Sequence, residues 1–152
     1  LPISDRGAME NEIAKLQREY IASFSEKETE LRALMAPSHG DDKALAQALH
    51  KIAGSGGTYR MQALSRSTRA LEVALLSGAI TLSGDQGLIN VWLQFFTTAR
   101  KSYEGLAAAD PTIKDCEHWH SAVGRIDTAL QSLWEKVAKT HKALRLQEED
   151  AA

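Results

Sequence analysis

The five histidines and the single cysteine are the side chains of this sequence best suited to chemistry. An imidazole can act as a nucleophile, as an acid or base, or as a metal ligand. His50 is distinguished by its place on a predicted helix. On a helical wheel of about 100° per residue, with Leu45 at zero, the apolar residues cluster within about 60° and His50 lies at about 140°. His50 is therefore expected on the solvent side, whereas a histidine that serves the core would lie on the opposite face.

Small residues surround His50 on the same face of that helix, one turn before it and one or two turns after it. They are Ala46, Ala53, Gly54 and Gly57. A glycine inside a helix costs about 0.8–1 kcal/mol relative to alanine, so stability does not explain the glycines. Close approach of another molecule would explain them, which predicts a docking surface around the imidazole. Alternatively, the glycines simply end the helix.

A second candidate site is the run Cys116-Glu117-His118-Trp119-His120. Its first and last residues are one helical turn apart, so they would share a helix face. A zinc site needs three or four ligands, and only two or three candidates cluster here. We therefore predict no metal site and interpret the run as a solvated helix face.

Length and composition limit the function classes. The 152 residues suffice for one domain, and the net charge of −2 provides no field that would attract nucleic acid or anionic lipid. No apolar run approaches the roughly 20 residues needed to cross a bilayer. The lone cysteine cannot form an internal disulfide, which fits a reducing compartment. We expect a cytoplasmic protein without nucleic-acid or membrane partners.

Four helical stretches are predicted to position His50. Apolar residues recur at intervals of three and four, and the frequent Ala, Leu, Glu, Lys and Gln favour helix. Turn residues separate the stretches, including Asp41 as a candidate N-cap and Gly78 as a candidate C-terminal glycine. The apolar stripes run from Ile13 to Leu34, from Leu45 to Ile52, from Met61 to Leu75 and from Leu88 to Leu106. Short connections predict an all-α fold, an antiparallel up-and-down four-helix bundle over residues 10–109.

The two ends of the chain differ from this bundle. Residues 1–9 have no helical period, and we interpret them as disordered or derived from an expression vector. Asp110-Pro111 resembles a helix start, and residues 110–152 carry an apolar heptad stripe. They predict an additional long C-terminal amphipathic helix of the order of 50 Å. Such a helix either packs on the bundle or mediates self-association.

The segment from Leu49 to Tyr59, LHKIAGSGGTY, resembles the signature of histidine-containing phosphotransfer (HPt) domains. That family's pattern is a histidine on a helix, an apolar residue two positions later, usually lysine three later, glycine four later and then a small residue. The segment from Leu64 to Glu72 resembles the family's next helix, and the resemblance covers residues 10–106. The residues that match the signature are His50, Ile52, Gly54 and Ser55.

The resemblance implies that His50 is the phosphorylated nucleophile of a two-component phosphorelay. It would accept a phosphoryl group from a receiver-domain aspartate, or from a kinase, and pass it to a response-regulator aspartate. The domain would be a phosphocarrier without kinase activity of its own, and it has no Gly-x-x-x-x-Gly-Lys-Ser/Thr nucleotide-binding loop. The partner receiver domain would supply Mg²⁺, and the chain would need no cofactor of its own.

The sequence departs from the family at Ala53, where lysine is usual and neutralises part of the phosphoryl charge. Lys43 lies two turns before His50 on the same face and could replace that lysine, whereas Lys51 points about 100° away. The residues predicted near the phosphate are Lys43, Lys51, Gly54 and Gly57, and those predicted for partner docking are Ala46, Ala53, Gly54 and Met61.

Two other interpretations of the sequence stay open. The missing lysine would also suit a degenerate bundle that binds a receiver or a kinase without carrying phosphate. The heptad stripe after Pro111 would suit an unrelated helical interaction or dimerisation module.

Overall fold

A computed structural model of the chain describes residues 3–38 and 40–145. Six helices of twelve or more residues make up most of this described part: α1 (Ile3–Ala22), α2 (Phe24–Met35), α3 (Asp42–Thr58), α4 (Gln62–Leu76), α5 (Gln86–Ala109) and α6 (Cys116–Thr140). One more helical turn covers residues 142–145, and these two ranges contain no strand. The predicted all-α helical bundle is thus confirmed. None of the described helices is both long and apolar enough to cross a membrane.

The first predicted helix is in fact two helices. Ser23 separates α1 from α2, because its N–H and its Oγ both donate to the carbonyl of Tyr20, at 3.0 and 2.6 Å. Both helices pack against α5. α1 begins at Ile3, so residues 3–9 are helical and not disordered, and only their derivation from a vector stays a prediction. Residues 1 and 2 lie outside the described residues.

The C-terminal helix begins later than the Asp110-Pro111 pair suggested. Asp110 caps the end of α5, where its N–H donates to the carbonyl of Leu106. The cap of α6 is Asp115, whose carboxylate accepts hydrogen bonds from the backbone N–H groups of Glu117 and His118, at 3.0 and 3.3 Å. Both aspartates have suitable cap chemistry, so the residue type alone does not select between them.

α6 lies against the rest of the bundle. Its 25 residues correspond to about 38 Å, shorter than the length predicted from the heptad stripe. It contacts α1, α4 and α5, so packing on the bundle accounts for the stripe within the described residues. Residues 146–152, the remainder of the predicted helix, lie outside them. The buried residues of α6 are Trp119, Ala122, Val123, Leu130, Trp134 and Ala138.

A close crossing of α3 and α4 fixes the geometry of the candidate site. α3 continues through all its glycines to Thr58, so the glycines do not end the helix. A Cβ added at Gly56 would lie only 3.3 Å from the backbone nitrogen of Ser65 on α4. The Ser65 hydroxyl donates to the carbonyl of Ala53 at 2.7 Å across the same crossing. Glycine at position 56 therefore permits the approach of the two helices.

The start of α4 is also tied to α6. The N–H of Ala63, in the first turn of α4, donates to Asp127 Oδ1 of α6 at 2.8 Å. Burial raises the pKa of the Asp127 carboxyl, although the hydrogen bonds from the α4 backbone oppose the rise. α4 is thus held by α3 on one side and by α6 at its N-terminus.

Candidate functional site

His50 is a solvent-exposed residue on a helix whose other face is buried. Its side chain is 67% exposed, while Leu45, Leu49 and Ile52 on the same helix are buried. The predicted N-cap is also present, since Asp41 Oδ1 accepts a hydrogen bond from the N–H of Ala44 at 3.0 Å. The wheel prediction that His50 faces solvent is confirmed.

A buried glutamate on α4 holds the exposed imidazole. His50 Nδ1 and Glu72 Oε2 are 2.8 Å apart, and the Glu72 side chain is only 8% exposed. An ionised carboxylate can only accept a hydrogen bond, so we assign the ring proton to Nδ1, which donates to Glu72. In the neutral ring this assignment leaves a lone pair on Nε2. The hydrogen bond to Glu72 therefore involves Nδ1 and leaves Nε2 as the ring nitrogen without this contact.

The surface around His50 is a shallow depression. Its floor is mostly apolar, and positively charged residues lie at its edge. A depression of about 390 Å³ lies between α3 and α4. Leu76, at the end of α4, is 64% exposed there, which is unusual for a large apolar side chain in this protein. The residues that line the depression are Lys43, Ala46, Gln47, His50, Lys51, Glu72 and Leu76.

The chain matches one protein family over most of its length. The family model described as the Hpt domain matches residues 15–136, well over half of the chain. The chain belongs to the Hpt domain family. The match includes His50 and Glu72 and extends into α6. Searches of curated proteins and of solved structures give no match. Hpt domains are phosphocarrier modules that act in histidine phosphotransfer in two-component phosphorelays, where they interact with receiver domains or kinases.

The residues predicted near the phosphate of this Hpt domain divide into two groups. Lys43 and Lys51 both line the depression around His50. Gly54 is exposed, and a Cβ added there would meet nothing within 4 Å. Gly57 is half-buried and faces α4, where an added Cβ would touch Ser65 Oγ at 3.5 Å.

Two of the residues predicted for partner docking are buried in this Hpt domain, so the prediction is wrong for them. Met61 is fully buried at the start of α4, and Ala53 is 1% exposed beneath the same helix. Ala46 is 2% exposed but lines the depression, and Gly54 is open to solvent. The wheel treated the helix as isolated, whereas α4 covers the side that carries Ala53. The depression around His50 therefore contains Ala46 but neither Ala53 nor Met61, and it extends toward Leu76.

Sequence reasoning missed three residues of the site. Glu72 was noted only as part of the family resemblance, although it lies four residues after Thr68 and thus places a carboxylate next to the buried stripe of α4. Gln47 is three residues before His50, a spacing that puts both on one helix face. Leu76 directly follows the buried Leu75, and nothing in the sequence marks it as exposed.

The run from Cys116 to His120 is a solvated helix face only at Glu117 and His118, whereas Trp119 and His120 pack against α1. His120 Nε2 lies 2.9 Å from the carbonyl of Glu10 and 3.3 Å from its Oε2. Burial, with the nearby charge of Glu10, raises the pKa of the Cys116 thiol. Across residues 3–38 and 40–145, no group of three or more His, Cys, Asp or Glu side chains is placed to hold a metal ion.

Proposed function

We propose that His50 is the phosphorylated residue of this Hpt domain and that Nε2 is the attacking atom. The observation that carries the proposal is the 2.8 Å hydrogen bond between His50 Nδ1 and the buried carboxylate of Glu72. Because that bond keeps the proton on Nδ1, the lone pair is on the other nitrogen of an exposed ring. The geometry thus supplies a nucleophile that is both accessible and fixed in orientation.

In the proposed reaction, the Nε2 lone pair attacks the phosphorus of a receiver's aspartyl phosphate. The N–P bond forms, and the P–O bond to the aspartate breaks on the opposite side, which leaves the aspartate as a carboxylate. The ring keeps its Nδ1 proton and becomes positively charged, with the Glu72 carboxylate 2.8 Å from that nitrogen. A charge-assisted hydrogen bond of this kind stabilises the cationic ring.

The same step in reverse passes the phosphoryl group to the aspartate of a response regulator. The carboxylate of that aspartate attacks the phosphorus, the N–P bond breaks, and the electron pair returns to Nε2. A receiver domain of a hybrid kinase, or the kinase itself, is the proposed donor. We expect these reactions to occur in the cytoplasm and the Hpt domain to contribute no kinase activity.

Charge neutralisation is divided between the two partners. Phosphoryl transfer depends mainly on positioning and on neutralising the phosphoryl oxygens. Lys43 and Lys51 line the depression next to His50 and can supply positive charge from this chain, which offsets the alanine at position 53. We expect the receiver domain to bring Mg²⁺ to its own aspartate.

The proposed docking surface centres on the depression. Leu76 offers an exposed apolar side chain, Ala46 forms part of the floor, and Gly54 leaves open space beside the imidazole. An apolar centre with a charged rim is the usual organisation of a specific protein interface. We expect a receiver helix to pack on Leu76 while the receiver's aspartate approaches His50, since both residues line the same depression.

Transfer from phosphorylated receiver domains tests the proposal. Wild-type protein is incubated with a panel of radiolabelled receivers, beside His50→Gln and the matched control His118→Gln, which alters an exposed histidine on α6. We expect an acid-labile, base-stable label on wild type and on the control, and no label on His50→Gln. Receivers that bind wild type without transferring the label to it would contradict the proposal. The same holds if His50→Gln is labelled as strongly as wild type.

A further inference from the structure

The turn of α3 that follows His50 offers no side-chain donor to a phosphoryl group. Ala53 stands where lysine is usual in the family, and it is 1% exposed beneath α4. Gly54, the next residue, has no side chain. Any side-chain donor that α3 provides for a group on Nε2 must therefore come from the turns before His50 or from Lys51.

Gln47 lies in the turn directly before His50. Residues three apart on a helix are neighbours, with about 5–6 Å between their Cβ atoms. Helical side chains also tilt toward the N-terminus, so the imidazole of His50 extends over the turn that carries Ala46 and Gln47. Both of these residues line the depression together with His50. Ala46 contributes only a methyl group there, so Gln47 is the polar side chain beneath the imidazole.

The side-chain amide of Gln47 is available to a ligand. The residue is exposed, and no hydrogen bond joins its side chain to another residue in the ranges 3–38 and 40–145. The amide nitrogen carries two N–H donors. Lys43 lies one turn further from His50, and Lys51 is turned about 100° around the helix from it. Gln47 is thus the nearest donor on the face of α3 that carries His50.

We propose that Gln47 is a phosphoryl-binding residue of the site. Its amide N–H donates to an oxygen of the phosphoryl group on Nε2, while Glu72 keeps its contact with Nδ1, the other ring nitrogen. The phosphoryl oxygens are negatively charged throughout the transfer, so the same donor also stabilises the transition state. The effect on transfer from receivers rests on the proposed function, whereas the contact with phosphorylated His50 is measurable without a receiver.

Chemical phosphorylation of the full chain with phosphoramidate tests the contact. Nε2 attacks the phosphorus, the P–N bond of phosphoramidate breaks, and its nitrogen leaves as ammonia. ¹H–¹⁵N spectra of the side-chain amides are recorded before and after the reaction, with Gln94, an exposed glutamine on α5, as the internal control. We expect the Gln47 amide proton to shift downfield and to couple to phosphorus, and the Gln94 amide to stay unchanged. In His50→Gln neither amide should change.

Substitutions measure the effect of Gln47 on transfer from a phosphorylated receiver. Gln47→Ala removes the donor, Gln47→Glu replaces it by a carboxylate that repels the phosphoryl oxygens, and Gln94→Ala is the matched control. We expect about tenfold slower transfer in Gln47→Ala, roughly the effect of losing one hydrogen bond to a charged group. Gln47→Glu should be slower still, and Gln94→Ala should keep the wild-type rate.

An unshifted Gln47 amide in phosphorylated wild type would overturn the proposal, and so would equal transfer rates in wild type and Gln47→Ala. Slowing of the same size in Gln94→Ala would also overturn it, because the effect would not be specific to the site. A shifted Gln47 amide in protein that phosphoramidate labels but no receiver labels would support the phosphoryl contact and contradict only the proposed function. Failure of both donors to label His50 would overturn the contact and the proposed function together.

Discussion

Two histidine–carboxylate pairs in this protein have opposite patterns of exposure. In the first, the His50 side chain is 67% exposed and its partner Glu72 is 8% exposed. In the second, His120 is 17% exposed and Glu10 is 42% exposed. Each pair joins two helices, α3 to α4 and α6 to α1. A short distance between an imidazole and a carboxylate therefore does not distinguish the two histidines, whereas the exposure of the imidazole does.

The partners of the two carboxylates reinforce this difference. Glu10 accepts two hydrogen bonds from the Arg60 guanidinium, at 3.0 and 3.2 Å, in addition to its contact with His120. Among residues 3–38 and 40–145, Glu72 has a single hydrogen-bond partner, His50, and the bundle encloses the rest of its side chain. The first carboxylate thus belongs to a surface ion network, whereas the second acts on a single imidazole.

Replacing each histidine by glutamine gives the sharpest contrast. We expect His50→Gln to lose phosphorylation completely and to lose no more than about 1.5–3 kcal/mol of unfolding free energy, the value of its hydrogen bond to the buried Glu72 carboxylate. His120→Gln should keep phosphorylation and lose about 1 kcal/mol of unfolding free energy, the usual net value of one hydrogen bond. Labelling and urea denaturation of both variants measure the two effects. A phosphorylation defect in His120→Gln would remove the distinction between the pairs.

The sequence predicted the exposed histidine because helical periodicity is a local property. The stripes of α4 and α6 and the cap at Asp41 were correct for the same reason. The partner Glu72 lies 22 residues away on another helix, and its distance from His50 depends on the α3–α4 crossing at Gly56. The burial of Ala53 and Met61 depends on the same crossing. A wheel drawn for one helix contains none of this information.

Replacing Glu72 and Glu10 by glutamine tests the next largest expected difference, which is in the rate of phosphotransfer. We expect Glu72→Gln to slow phosphotransfer by about 10- to 100-fold, corresponding to about 1.5–3 kcal/mol for a hydrogen bond to a charged group. Glutamine can still occupy the space but no longer requires the proton on Nδ1. Glu10→Gln should leave the transfer rate unchanged. Rapid-quench measurements with one receiver compare both variants, and equal rates for wild type and Glu72→Gln would contradict the assigned role.

Substitutions at two glycines of α3 distinguish the packing of α3 on α4 from the approach of the partner to the site. Gly56→Ala should destabilise the fold by about 1–3 kcal/mol, because the new methyl group meets the backbone of α4 at 3.3 Å. Gly54→Ala meets no atom within 4 Å and should stabilise the helix by about 0.8–1 kcal/mol. We expect Gly54→Ala nevertheless to slow transfer from the receiver. Faster or equal transfer would show that the partner does not approach at this position.

The smallest expected effect is the pH dependence that Glu10, the carboxylate of the His120–Glu10 pair, gives to the stability of the fold. The hydrogen bond from Arg60 lowers the pKa of the Glu10 carboxyl, against the effect of burial and with help from the charges of Arg60 and His120. A lowered folded-state pKa contributes stability above the unfolded value of 4.5 and loses it as the pH falls through the folded value. Wild type should therefore exceed Glu10→Gln in stability at neutral pH, and the two should converge in acid. Urea titrations at neutral and at acidic pH measure the difference in stability between wild type and Glu10→Gln. A larger difference in acid would contradict the prediction.

The position of the phosphoryl group on the ring tests the central claim most directly. Wild-type protein phosphorylated by a receiver is examined by ³¹P and ¹⁵N NMR, which distinguish the two nitrogens of His50. The hydrogen bond from Nδ1 to Glu72 predicts that the phosphorus is bonded to Nε2. A phosphoryl group on Nδ1, or on any residue other than His50, would contradict the account.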